Sequence, residues 1–114
     1  MDNNVDDTEL QGQIREIQAV QDQIQMLAYQ NQQLNASLRE IDRALEELNK
    51  ATGAVYRFAG GVVIERKKDE LEKELKEEKE TIEIRVKTFK TQEDKLKVKF
   101  EELKKTIEAK MPKK

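Results

Sequence analysis

The side chains of this chain that could do chemistry are almost all carboxylates and amines. Glu77-Glu78 and Glu101-Glu102 are adjacent acid pairs. Two carboxylates can share acid–base work when a closed pocket drives their pKa values apart. A basic stretch follows, with eight lysines between Lys95 and Lys114 against three glutamates. Such a run can meet nucleic-acid phosphates. Gly60-Gly61 is not a phosphate loop, because no GxxxxGK followed by Ser or Thr surrounds it. The chain has no cysteine and no histidine. That excludes disulfides, thiol redox chemistry and zinc sites built on Cys or His. It also removes the commonest general acid–base side chain near neutral pH.

The elements that carry these groups decide among the chemistries. Of 114 residues, 40% are charged and 36% hydrophobic. That balance suits exposed helices with a narrow apolar seam, and periodicity separates it from disorder. In residues 8–52, apolar side chains recur at Leu10, Ile14, Ile17, Val20, Ile24, Leu27, Leu34, Leu38, Ile41, Leu45 and Leu48. From Val20 the steps alternate between three and four, with Asn31 in the one gap. This is a heptad seam, and a polar residue in it fixes register. Two successive three-residue steps, Ile14 to Ile17 to Val20, make a stammer that overwinds the seam. Thr8 with Gln11 reads as a capping box, and Gly53 lies where a helix stops. Gly12 weakens the first turn by roughly 1 kcal/mol relative to alanine, so fraying is expected there.

Residues 68–110 carry a second seam. Leu75, Ile82, Phe89, Leu96 and Leu103 are seven apart, with Val86, Phe100 and Ile107 four residues after members of that row and Glu93 in a matching place. Asp69, Glu70 and Glu72 suit the positive end of this helix and Lys110 the negative end. Pro112 is expected to stop it. Two helices of about 43–45 residues, each roughly 65 Å long, pair fully only if antiparallel. Positions equidistant from residue 60 then face each other, Leu48 with Leu71 and Leu45 with Leu75. Ile14 falls near Leu103 and Ile107. Residues 1–50 hold 4 basic and 10 acidic side chains, residues 51–114 hold 18 and 14. These signs favour pairing of the halves, though each exposed pair adds only a few tenths of a kcal/mol.

Between the seams, residues 54–66 read AVYRFAGGVVIER. Gly-Gly between β-branched and aromatic runs predicts a two-residue β-hairpin. The fold class is therefore mainly α: one domain over 1–114, a long antiparallel two-helix coiled coil with one β-hairpin at the bend. An isolated hairpin is marginal in water, and its open edges are templates for more strands. Val55, Tyr56, Phe58, Val62, Val63 and Ile64, turning at Gly60 and Gly61, make it the expected assembly surface. Several chains would combine hairpins into a closed sheet or barrel.

Helix, single hairpin and equal helix together resemble a β-type prefoldin subunit. The pattern Val55-Tyr56-Arg57 leading to Gly60 and the Lys68-Asp69-Glu70-Leu71 opening of the second helix carry the likeness. Subunits of the α type are similar but carry two hairpins, for which this chain has no room. The resemblance implies a hexamer of two α-type and four β-type subunits, with a double β-barrel body and hanging coiled coils. It implies that unfolded client proteins are held at the coiled-coil tips and delivered to a group II chaperonin. It implies no nucleotide and no other cofactor, and archaeal and eukaryotic complexes share the plan.

On that resemblance the client-binding residues are those of the distal tip: Leu10, Ile14, Ile17, Leu103, Ile107 and Met111. A loosened apolar tip adapts to many sequences, and Met is a flexible contact. The bland alternative is coiled-coil core with a frayed end. The remaining alternatives are a scaffold or tether and a nucleic-acid-binding arm. Acids are interspersed among the lysines and that face has no aromatics for base stacking, so no nucleic acid partner is expected. The exposed carboxylate pairs read as solvated, so the chain is expected not to be an enzyme. No leader pattern and no long apolar run are present, which predicts a cytoplasmic protein without membrane contact.

Overall fold

The computed structural model describes residues 2–111, with side chains from Thr8 onward. Helix α1 spans Asp2–Lys50, strand β1 Val55–Ala59, strand β2 Val62–Arg66 and helix α2 Lys68–Lys110. Two long helices therefore flank a two-stranded antiparallel hairpin.

α1 starts upstream of the expected Thr8, so Thr8 lies inside the helix and is not its N-cap. Gly12 accordingly lies beyond the first turn. At the other end α1 stops at Lys50, two residues before the expected limit. Gly53 has no positive φ, so a left-handed glycine cap does not end this helix. Lys68 Nζ donates instead to the carbonyls of Asn49 at 3.3 Å and Ala51 at 3.0 Å. α2 has the expected limits, with Asp69 and Glu70 in its first turn and Lys110 in its last. The expected stop at Pro112 lies outside the described residues.

The hairpin pairs Val55 with Arg66, Tyr56 with Glu65, Arg57 with Ile64, Phe58 with Val63 and Ala59 with Val62. Gly60 (φ 57°) and Gly61 (φ 80°) both take the left-handed conformation. A type I′ turn needs positive φ at both central positions, which glycine adopts without strain.

Packing divides the chain into two compact units. One comprises Gln32–Lys87, the other Met1–Asn31 with Thr88–Lys114. In the first, Leu48, Leu71 and Leu75 form the buried core, with Ile41, Leu45 and Val55 against it. The facing pairs expected from the seams thus meet in one cluster. In the second, Val20 is the most deeply buried apolar side chain, at 3% exposure, and Leu27, Leu96 and Phe100 are half-buried. Among its described residues, Asn31 and Glu93 are the buried polar side chains. Glu93 is held by Lys97 at 3.3 Å. The buried Oδ1 of Asn31 has no hydrogen-bond partner among the described residues.

Candidate functional site

The hairpin register sorts its side chains onto two faces, since opposed residues share a face and neighbours alternate. Val55, Arg57, Ala59, Val62, Ile64 and Arg66 share one face. Tyr56, Phe58, Val63 and Glu65 share the other. The first face is covered at its base, where Val55 packs on the leucine core and both arginines are half-buried. The second is open: Phe58 is 72% exposed, Val63 62% and Tyr56 58%. Val62 and Ile64, near the turn, are also exposed. A two-residue turn closes on a hydrogen-bonded pair, and such pairs alternate along the ladder. Ala59–Val62, Arg57–Ile64 and Val55–Arg66 are then the bonded pairs. The backbone groups of Tyr56 and Phe58 on one edge, and Val63 and Glu65 on the other, point outward. One set of residues therefore carries both the apolar face and the open edges.

An ion cluster fixes this hairpin to α2. Arg57 Nη2 donates to Glu78 Oε1 at 2.7 Å. Arg57 Nη1 lies 2.9 Å from Glu74 Oε1, and Arg66 Nη1 lies 2.9 Å from Glu74 Oε2. Nη1 of Arg57 and Oε2 of Glu74 are buried without a hydrogen bond, so those contacts act through charge rather than alignment. The hydrogen bond to Glu78 raises the guanidinium pKa above its ordinary value; burial opposes this, and the charges of Glu78 and Glu74 add to it. Sequence reasoning missed this cluster. The signal was available: Gly60-Gly61 sets a register that puts both arginines on one face, and Glu74 and Glu78 are one helical turn apart.

In the other unit, Leu10, Ile14 and Ile17 on α1 and Leu103 and Ile107 on α2 are all half-buried. Met111 is 50% exposed. Polar contacts join the two helices here. Lys110 Nζ lies 3.1 Å from Glu9 and donates to Gln13 at 3.2 Å, and Lys99 lies 3.4 Å from Glu16. Nearby, Gln23, Met26, Leu27, Gln92, Lys95 and Leu96 line an open, almost wholly apolar groove of about 460 Å³. Met26 is off the heptad seam, so the seam pattern alone did not reveal it.

The remaining candidate groups are dispersed. Lys97, Lys99 and Lys110 pair with acids of the same chain. Glu78 belongs to the arginine cluster, and Glu77, Glu101 and Glu102 are exposed. Among the described residues, no group of three or more His, Cys, Asp or Glu is placed to hold a metal ion. No described helix is long and apolar enough to cross a membrane.

Two heptad helices around one hairpin match what known proteins show. The family model described as "Prefoldin subunit" matches residues 11–114. The chain belongs to the prefoldin subunit family. The crystal structure of the prefoldin beta subunit from Thermococcus strain KS-1 superposes with a TM-score of 0.82 at 31% identity. The match covers 92% of this chain and 95% of that one. Prefoldin subunit beta of Methanococcus vannielii is 41% identical over 54 residues, 47% of this chain and 48% of that protein. Prefoldin subunit beta of Archaeoglobus fulgidus is 48% identical over 48 residues, 42% of this chain and 41% of that protein. The matched stretches thus span about half the length of these curated relatives. Among the described residues the fold has a single hairpin, as expected for the β type.

Proposed function

We propose that this chain is a β-type subunit of an ATP-independent chaperone. Its hairpin joins α-type prefoldin subunits in a hexamer of two α and four β chains. The distal helix ends hold unfolded client proteins, which the complex passes to a group II chaperonin in the cytoplasm. No cofactor, nucleic acid or membrane takes part, and no bond is made or broken.

The observation that carries this reading is the outward face of Tyr56, Phe58 and Val63, framed by open strand edges. An exposed apolar face and unpaired edges are both costly alone, and strands from other subunits satisfy both. Similarity to proteins named beta subunits supports partners of another subunit type. The half-buried tip and the apolar groove at Met26 supply adaptable surface for clients.

The test combines native mass measurement with light scattering. The chain is mixed with an archaeal α-type prefoldin subunit, and a guanidinium-unfolded enzyme is diluted into the mixture without ATP. A mass near six chains with suppressed scattering is expected. Separate monomers would overturn the assembly. A hexamer that leaves scattering unchanged would favour a plain scaffold.

A further inference from the structure

The open face of the hairpin is also the face that could most readily collapse. Tyr56, Phe58 and Val63 would leave water if the hairpin rolled about its strand axis onto α2. The hydrophobic effect is not directional and favours such a roll. Among the described residues, Val55 is the apolar side chain of the hairpin that packs against the leucine core. What opposes the roll is ionic: Arg57 bridges Glu74 and Glu78, and Arg66 shares Glu74.

We propose that Arg57 is a positioning residue for assembly, clamped by Glu74 and Glu78 so that the Tyr56, Phe58 and Val63 face is held outward for partner strands. The proposal rests on the reading of the hairpin as the assembly surface. The geometry is suited to the task. Glu74 and Glu78 are one turn apart on α2, so Arg57 is held at two points along the helix axis. Arg66 meets Glu74 from the opposite strand, so both strands are fixed. Rolling the hairpin would break these contacts together and leave half-buried charges without partners, which opposes the apolar gain. The arginine fork matters here, because its two terminal nitrogens reach two carboxylates at once.

The experiment uses the full chain with an archaeal α-type prefoldin subunit. Variants are Arg57→Met, Glu78→Gln, the swap Arg57→Glu with Glu78→Arg, and Phe58→Ser. Assembly is followed by native mass over a dilution series, and helicity and thermal midpoint by circular dichroism on the isolated chain. Arg57→Met and Glu78→Gln are expected to keep helicity yet require at least tenfold higher concentration to assemble. The swap restores a pair across positions 57 and 78 but sets a carboxylate beside Glu74, so partial recovery is expected; a merely structural role would instead lower the isolated chain's thermal midpoint in step with assembly. Wild-type assembly of Arg57→Met, or a loss that the swap fails to relieve, overturns the clamp. Should Arg57→Met lose helicity, Glu78→Gln decides alone, since it leaves the Glu74 contacts intact. Phe58→Ser tests the underlying reading. If it assembles normally, the hairpin face is not the interface. If it fails to assemble while Arg57→Met succeeds, only the clamp falls.

Discussion

Lys68 donates from Nζ to the carbonyl oxygen of Ala51 at 3.0 Å, so the first residue of α2 caps the end of α1. A second contact reaches the Asn49 carbonyl at 3.3 Å. The last carbonyls of a helix lack intrahelical partners and carry its negative end, which a lysine ammonium suits. The two helices adjoining the hairpin are thereby joined by one side chain. Replacing Lys68 by Met keeps the aliphatic stem and removes the donor. The expected cost is about 1 kcal/mol, at the lower end for a partly exposed charged hydrogen bond. It would appear as a lowered urea midpoint with unchanged slope. An unchanged midpoint would show that water caps these carbonyls equally well.

Leu71 packs with Leu48 and Leu75 and is only 6% exposed. Leu71→Ala should cost about 2–4 kcal/mol, through lost burial and the cavity left behind. Val98, 59% exposed, is a control: Val98→Thr should change stability by no more than about 0.5 kcal/mol. Equal effects of the two changes would contradict the burial pattern.

Both seams were legible because heptad spacing fixes which side of a helix is apolar whatever lies opposite. The pairing of Leu48 with Leu71 followed from chain geometry, since a short hairpin leaves antiparallel helices one register. The hairpin was legible in Gly60-Gly61, where two positive φ angles are needed. The start of α1 was not: a capping motif at Thr8 looks the same inside a helix as at its end. The Arg57 cluster and the Lys68 cap were missed because each joins residues far apart in sequence. Such contacts become readable only after register is known. The Met26 groove was missed because periodicity ranks residues along one stripe, whereas the groove lies beside it.

Two exposed ion pairs give opposite pH responses. The hydrogen bond from Lys76, with its charge, holds the Glu72 carboxyl below its ordinary pKa. That stabilisation is complete above the unfolded carboxylate value of about 4.3 and is lost as pH falls through the lower folded value. The difference in thermal midpoint between wild type and Glu72→Gln should therefore close on acidification. Lys79, hydrogen-bonded to Asp42 and attracted by its charge, is raised. Its contribution is present below about pH 10.4 and lost as pH rises through the higher folded value. The difference between wild type and Lys79→Met should close in alkali instead. Both differences should shrink in about 1 M salt. A pH-independent difference in either series would contradict the ion pair concerned.

Ile107 and Met111 distinguish coiled-coil core from the proposed client-holding surface at the end of α2, because they differ in burial. Ile107 is half-buried in the seam, whereas Met111 is 50% exposed. If the end of α2 is only coiled-coil core, Ile107→Ser destabilises it and Met111→Ser does nothing measurable. If this end holds clients, Met111→Ser also weakens aggregation suppression, with thermal midpoint and oligomer mass unchanged. The proposed function predicts the second result, and loss of suppression in the double variant. Lys110→Ala adds a further reading. It removes the contacts to Glu9 and Gln13 and so loosens the helix ends. A looser end exposes more apolar surface, so suppression should hold or improve while the chain becomes slightly less stable. Unchanged suppression by the Ile107→Ser, Met111→Ser double variant would move the client site elsewhere.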